Sequence, residues 1–123
     1  MSMIVEYVQD AVATVTGISV ENMKSNSRCR EYVEARKMCM YFLRIKYNLP
    51  FRLIGEAYNR DHATVMYSIK TYMGWLESDR RIVGLHAIVE AAIIDDLTIR
   101  YTSINKAVKE YAATINEELL NLE

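Results

Sequence analysis

The run Asn59-Arg60-Asp61-His62-Ala63-Thr64-Val65 sets short side chains of mixed donor, acceptor and methyl character just before an apolar-periodic stretch. Val65, Ile69, Tyr72 and Met73 fall on one helical face, so the polar run opens an amphipathic helix. Upstream, Phe51-Arg52-Leu53-Ile54-Gly55-Glu56-Ala57-Tyr58 reads as a short helix. The pair has the form of a helix-turn-helix, whose second helix meets base edges in the DNA major groove through its N-terminal residues. Asp61 has the chemistry to accept from the amino group of cytosine or adenine. His62 can donate to a base or pack on a thymine methyl. Ala63 is small enough to sit against that methyl, and Thr64 brings both a hydroxyl and a methyl. Arg60, just ahead of the helix, suits a phosphate. Asp61 equally suits an ordinary N-cap, and the two readings are compatible.

Further elements must hold this run in place. Ile4, Val5, Val8, Val12 and Val15 recur at helical spacing, predicting a helix over 3–16 that ends near Gly17. Ser19 can cap a short turn through Met23. Residues 24–30 are polar and basic without apolar period and read as a loop. Residues 31–47 form a helix with Val33, Ala35, Met38, Cys39, Phe42 and Leu43 on its buried stripe. Asn48-Leu49-Pro50 breaks it, and Pro50 stands at the opening of the next helix, where its missing N–H matters least. The Asp61 helix runs to about Leu76. After the polar break 78–81, two amphipathic helices are expected over 82–95 and 98–122, the last carrying Ile104, Ala107, Val108, Tyr111, Ile115 and Leu119.

Composition agrees with this. Among 123 residues, 51% are hydrophobic, enough for one domain with a real core, and one Pro with four Gly is too few for a turn-rich β chain. Net charge is −1, but it is unevenly placed. Residues 24–81 hold twelve Lys and Arg against six Asp and Glu, while both flanking segments are acidic. A basic middle between acidic ends is the footprint of a polyanion-binding face, or else a solvated surface. Cys29 and Cys39 match no zinc or redox spacing; Cys39 is expected in the core and Cys29 in the exposed basic loop. The first residues lack the cationic start of a signal peptide, and no apolar run reaches membrane-spanning length, so the expected location is cytoplasmic, with the nucleoid.

No catalytic constellation can be assembled. His62 and His86 have no ligand set around them, no serine nucleophile motif or carboxylate pair stands out, and Asp95-Asp96 most simply ends a helix. Trp75 and the nine Tyr read as packing rather than as a base-stacking platform. The expectation is therefore a non-enzyme with no metal, cofactor or nucleotide.

Several of these residues resemble a known family. Residues 17–76 resemble the C-terminal DNA-binding domain of the bacterial replication initiator DnaA, whose recognition helix opens with a signature close to Gly-Gly-Arg-Asp-His-Thr-Thr-Val. Arg60-Asp61-His62 and Thr64-Val65 match it. Ala35-Arg36-Lys37-Met38-Cys39-Met40-Tyr41-Phe42-Leu43 resembles the family's Pro-Arg-Gln-Ile-Ala-Met-Tyr-Leu helix, and Ile54-Gly55-Glu56-Ala57-Tyr58 its Ile-Gly-x-x-Phe segment. The resemblance implies that Arg28 enters the minor groove, where a narrow A·T-rich stretch attracts a guanidinium. It puts Arg30, Arg44 and Arg52 at backbone-contacting positions and Asp61, His62 and Thr64 at base-contacting ones; with Arg36, Arg60 and Lys70 these cations make the expected phosphate set, though Arg36 has an alternative role in supporting the fold. Without the family, Arg28 and Arg30 are equally a solvated basic loop. The chain departs from the family in a turn one residue shorter, in Asn59 for a Gly and in Ala63 for a Thr. No Gly-x-x-x-x-Gly-Lys-Ser/Thr occurs in the chain, so the expected module is a DNA reader without an ATPase.

The expected fold is all-α: one domain over 1–123, with an initiator-type (Trp-repressor-like) helix-turn-helix core over 17–76 and a two-helix extension over 82–123. The expected function is sequence-specific binding of double-stranded DNA by a small replication or transcription regulator. The extension either covers the core or forms a homodimer through Tyr101, Tyr111, Ile115 and Leu122. The alternative is a protein-interaction module that keeps the fold and binds a partner through its acidic tail.

Overall fold

The computed structural model describes residues 3–93, and every regular element among them is helical. The chain divides into two compact units, Met1–Glu90 and Ala91–Glu123, and the description below concerns the first. The expected helix over 98–122, the Asp95-Asp96 terminus and the dimer candidates Tyr101, Tyr111, Ile115 and Leu122 lie outside the described residues.

Helix α1 (Met3–Thr16) buries Val5, Val8 and Val12 with Gln9, one face of a 3.6-residue period. It stops where Gly17 takes φ 77°, its N–H closing on the Ala13 carbonyl at 2.9 Å. The single turn α2 (Val20–Lys24) is started by Ser19, whose hydroxyl accepts from the Asn22 N–H at 3.1 Å, and it drives Met23 fully inside. Helix α3 (Arg30–Ile45) is the hub. It packs against α1, α2, α4 and α5, which explains why Ala35, Met38, Cys39, Met40, Phe42 and Leu43 are all buried, too wide an arc for a one-sided stripe. Burial pushes the Cys39 thiol up to about 12, whereas Cys29 is exposed in the loop, as expected for both.

Pro50 is the N-cap of α4 (Phe51–Tyr58), in extended geometry that needs no N–H. This helix ends in a Schellman turn: the Arg60 N–H bonds the Gly55 carbonyl at 2.8 Å and the Asn59 N–H the Glu56 carbonyl at 3.4 Å. Asn59 supplies the left-handed residue, φ 53° and ψ 49°, so the turn is made without the family's glycine pair. Gly55 is required for a different reason. A Cβ there would lie 2.4 Å from the Arg60 carbonyl oxygen, a backbone atom that cannot step aside.

Helix α5 (His62–Ser78) buries Val65, Ser68, Ile69 and Tyr72. Met73, expected on that face, is 47% exposed instead, and the small Ser68 completes the buried stripe. Asp79 then starts α6, helical over 80–93, by accepting from the Arg81 and Ile82 N–H groups at 3.0 and 3.2 Å. This cap narrows the expected polar break to one residue and advances the helix start by two. His86 on α6 stacks on Phe42 (4.7 Å between centroids, 12° between planes) and shares a 2.9 Å hydrogen bond with the Tyr72 hydroxyl through Nδ1.

Two glycine substitutions separate the constraints. Gly55→Ala should destabilise by about 1–3 kcal/mol, because the methyl forces the turn apart. Gly74→Ala, inside α5 with open space around its missing Cβ, should stabilise by about 0.5–1 kcal/mol. Urea denaturation of both variants checks the pair; equal effects would contradict the close approach at Gly55.

Candidate nucleic-acid interface

The first turn of α5 is turned outward. Asp61, His62, Ala63 and Thr64 are all exposed, while Val65 immediately after them is buried. The Asp61 side chain is the N-cap, its Oδ1 accepting from the Thr64 N–H at 2.7 Å. That backbone donor, with the Thr64 side chain, holds the carboxyl below its usual range, so the run presents an ionised acceptor at its head. His62 is not left to rotate freely. Its ring lies 5.2 Å from Phe51 at the head of α4, and the Arg44 guanidinium lies over the Phe51 ring at 4.2 Å. Arg44 in turn donates to the Leu49 carbonyl at 3.2 Å. Phe51 was not singled out in the sequence, where it read only as part of a short helix.

The basic loop is as well defined as a helix end. The Ser25 hydroxyl donates to the Asn22 carbonyl at 2.7 Å and accepts from the Ser27 N–H at 3.3 Å; the Ser27 hydroxyl accepts from the Cys29 N–H at 3.1 Å. Serine hydroxyls thus replace the missing backbone ladder. Arg28 projects from this loop, exposed and without a hydrogen bond or ion pair among the described residues.

Arg36 is not one of the surface cations. It is 8% exposed, and its guanidinium donates to the Met23 carbonyl at 2.6 Å and the Ser25 carbonyl at 2.8 Å, with Ser27 O at 3.4 Å. Burial, followed by the charge of Arg60, holds it below the usual arginine range. Backbone partners explain why it is inside: they satisfy its donors without a carboxylate. Arg60 is half-buried and also turned to backbone, its Nη1 donating to the Tyr58 carbonyl and its Nη2 to Ser25 O at 2.8 Å.

The other expected phosphate ligands divide. Arg52 is exposed at the outer face of α4, paired with Glu56 at 2.9 Å in a solvent-facing i,i+4 contact. Lys70 is exposed on α5. Arg30 is partly committed: its Nε bonds Glu34 at 3.1 Å and its guanidinium lies 4.2 Å over the Trp75 ring. Glu34, 4% exposed, also takes Arg81 at 2.7 Å across 47 residues, so one buried carboxylate ties α3 to the start of α6. Arg30 reaches Glu34 within one turn of α3, whereas Arg81 comes from a distant part of the sequence. Trp75 therefore serves as a seat for cations, with Lys37 at 5.7 Å from it. No group of three His, Cys, Asp or Glu among the described residues could hold a metal, and no helix among them is long and apolar enough to cross a membrane.

An exposed polar first turn on a helix-turn-helix, flanked by an ordered basic loop, defines a DNA-binding protein of that class. The model for the bacterial DnaA protein helix-turn-helix matches residues 5–71, and the chain belongs to that family. The match begins in α1, earlier than the residue 17 expected, so the first helix is part of the family's unit. The chain is 41% identical over 93 residues to chromosomal replication initiator protein DnaA 1 of Chlamydia trachomatis, covering 76% of this chain and 19% of that protein. With DnaA 1 of Chlamydia muridarum it shares 41% over 71 residues, 58% of this chain and 16% of the relative. With DnaA of Nostoc sp. it shares 42% over 81 residues, 62% and 18% respectively. The matched region thus spans under a fifth of each of these relatives. What the chain shares with the family is its helix-turn-helix.

Arg36→Ala should cost about 2–3 kcal/mol of stability, since buried carbonyls lose a charged donor. Arg52→Ala should leave stability within about 0.5 kcal/mol. Thermal melts followed by circular dichroism compare the two, and a stable Arg36→Ala protein would contradict the interior role.

Proposed function

We propose that this chain binds double-stranded DNA sequence-specifically, as a replication or transcription regulator acting at the nucleoid. Asp61, His62, Ala63 and Thr64 face base edges in the major groove. Arg28 enters the adjacent minor groove, and Arg52, Lys70, Arg44 and the free edge of Arg30 meet phosphates. The observation that carries this reading is the outward first turn of α5. Four consecutive side chains able to contact bases are exposed at the end of a helix whose remaining length is anchored by Val65, Ile69 and Tyr72. The printed names of the relatives, chromosomal replication initiators, support an initiator-type duplex as the first target to try.

Ala63 removes a hydroxyl that the family signature carries at a base-reading position. The preferred site of this chain is therefore expected to tolerate change at the base pair facing residue 63, and the remaining discrimination to rest on His62, Thr64 and Arg28.

Fluorescence anisotropy with an initiator-box duplex and a scrambled duplex, across a salt series, tests the proposal. The box should bind more tightly at every salt concentration. His62→Ala should cost about 1–3 kcal/mol on the box and little on the scrambled duplex. Arg52→Ala should weaken both duplexes alike and lower the salt slope by about one. Equal binding of box and scrambled duplex by the unmodified chain would contradict sequence reading, and equal losses from His62→Ala on both would remove His62 from the bases.

A further inference from the structure

Arg60 is set in the signature run, next to the recognition helix, where a cation would ordinarily be assigned to a phosphate. Its hydrogen bonds say otherwise. One terminal nitrogen closes on the Tyr58 carbonyl within its own turn, and the other crosses 35 residues of sequence to Ser25 O in the basic loop, 2.8 Å away. The same carbonyl receives Nη2 of the buried Arg36, also at 2.8 Å. Two guanidinium groups thus converge on one neutral acceptor. Both charges accept each other's proximity to do so, an arrangement that makes sense only if the position of that carbonyl matters.

What it fixes is the place of Arg28. This side chain has no hydrogen bond or ion pair among the described residues, so its location depends on the loop backbone alone. Ser25, three residues before it, is the point at which the loop is joined both to α3, through Arg36, and to the turn that launches α5, through Arg60. The Tyr58 bond locks the Arg60 fork to the end of α4, so the tether has one length. We propose that Arg60 is a positioning residue: it sets the register between the minor-groove arginine and the major-groove helix by holding Ser25 O, and it is not a phosphate ligand. This inference rests on the sequence-reading function proposed above and names the residue that couples its two halves. The physical requirement is strict, because a guanidinium reads groove width only where it enters. A loop free to slide lets Arg28 meet any stretch of backbone.

The test uses the full chain carrying Arg60→Lys, Arg60→Gln, Arg28→Ala and the two Arg28/Arg60 double variants. Anisotropy is read on the preferred duplex, on the same duplex with G·C in place of the A·T pairs facing the loop, and on a scrambled duplex across salt. Lysine keeps a charge for a phosphate but cannot fork between two carbonyls. The expected result is that Arg60→Lys and Arg60→Gln both reduce the preference for A·T over G·C by about tenfold, within the range of one good contact. In the Arg28→Ala background they should change affinity less than about twofold, since coupled residues do not add. The salt slope on the scrambled duplex should stay as in the unmodified chain.

A phosphate ligand gives the opposite pattern. Arg60→Lys would then bind as the unmodified chain does, Arg60→Gln would lose about one unit of salt slope, and the losses would multiply with those of Arg28→Ala. Any of these overturns the proposal. If the Arg60 variants do not fold, a glycine inserted between Asn26 and Ser27 carries the test, because it lengthens the loop beyond an intact tether; unchanged A·T preference in that protein overturns the register claim. An unmodified chain that binds all three duplexes equally contradicts sequence reading itself. A discriminating chain whose Arg60→Lys variant keeps the preference sinks only the tether.

Discussion

Arg36 and Arg60 both reach the carbonyl of Ser25, one from α3 and the other from the turn between α4 and α5. Neither contact is strong alone; a hydrogen bond from a charged donor contributes on the order of 1.5–3 kcal/mol. Their joint effect is geometric. They make a polar, serine-rich loop part of the helical framework, so that a segment with no apolar side chain of its own is held as firmly as the elements around it. Without that junction the loop would be bounded only by its serine hydroxyls, and the two groups expected to meet DNA would belong to separately moving pieces.

The rest of the unit is arranged to keep this junction in place. Met23 is fully buried beside Cys39, which fixes α2 on α3 and brings the Ser25 carbonyl within reach. Gly55 allows the Arg60 carbonyl to lie against α4, which sets where the Arg60 side chain starts. Also on α3, Glu34 binds Arg30 and Arg81 together, and nearer the C-terminal end of that helix Phe42 stacks with His86, which hydrogen-bonds Tyr72. Burial keeps that imidazole below its usual range, with Glu90 opposing, so its neutral form is favoured inside the aromatic cluster. These contacts clamp α6 against α3 and α5, and they leave the first turn of α5, His62 to Thr64, exposed.

Local grammar made much of this legible in the sequence. Gly17, Ser19, Pro50 and Asp61 each act through neighbours within four residues, so their roles as stop, cap and helix opener follow from type and spacing. The polar run 61–64 was legible for the same reason. Arg36 was harder, because its partners are backbone carbonyls of Met23, Ser25 and Ser27, which carry no residue-type signature. Arg81 and Glu34 meet across 47 residues, and the Phe51–His62 contact depends on how two helices cross. Met73 was misplaced on the buried face because periodicity gives the direction of a stripe but not its width. The cations show this most clearly. As letters in a sequence Arg28, Arg36, Arg52 and Arg60 are equivalent, whereas folding sends one inside, turns one to the backbone and leaves two outside.

The central claim is that the loop and the first turn of α5 act as one rigid reader of two adjacent grooves. Base-analogue interference on a single duplex tests it most directly. Seven-deaza purines remove the N7 acceptor in the major groove, and inosine–cytosine or diaminopurine–thymine pairs alter the amino group in the minor groove, each one position at a time. The account predicts two short clusters of sensitive positions at a fixed separation, one for each groove. Binding that is indifferent to every base replacement, and sensitive only to the phosphates, would contradict it.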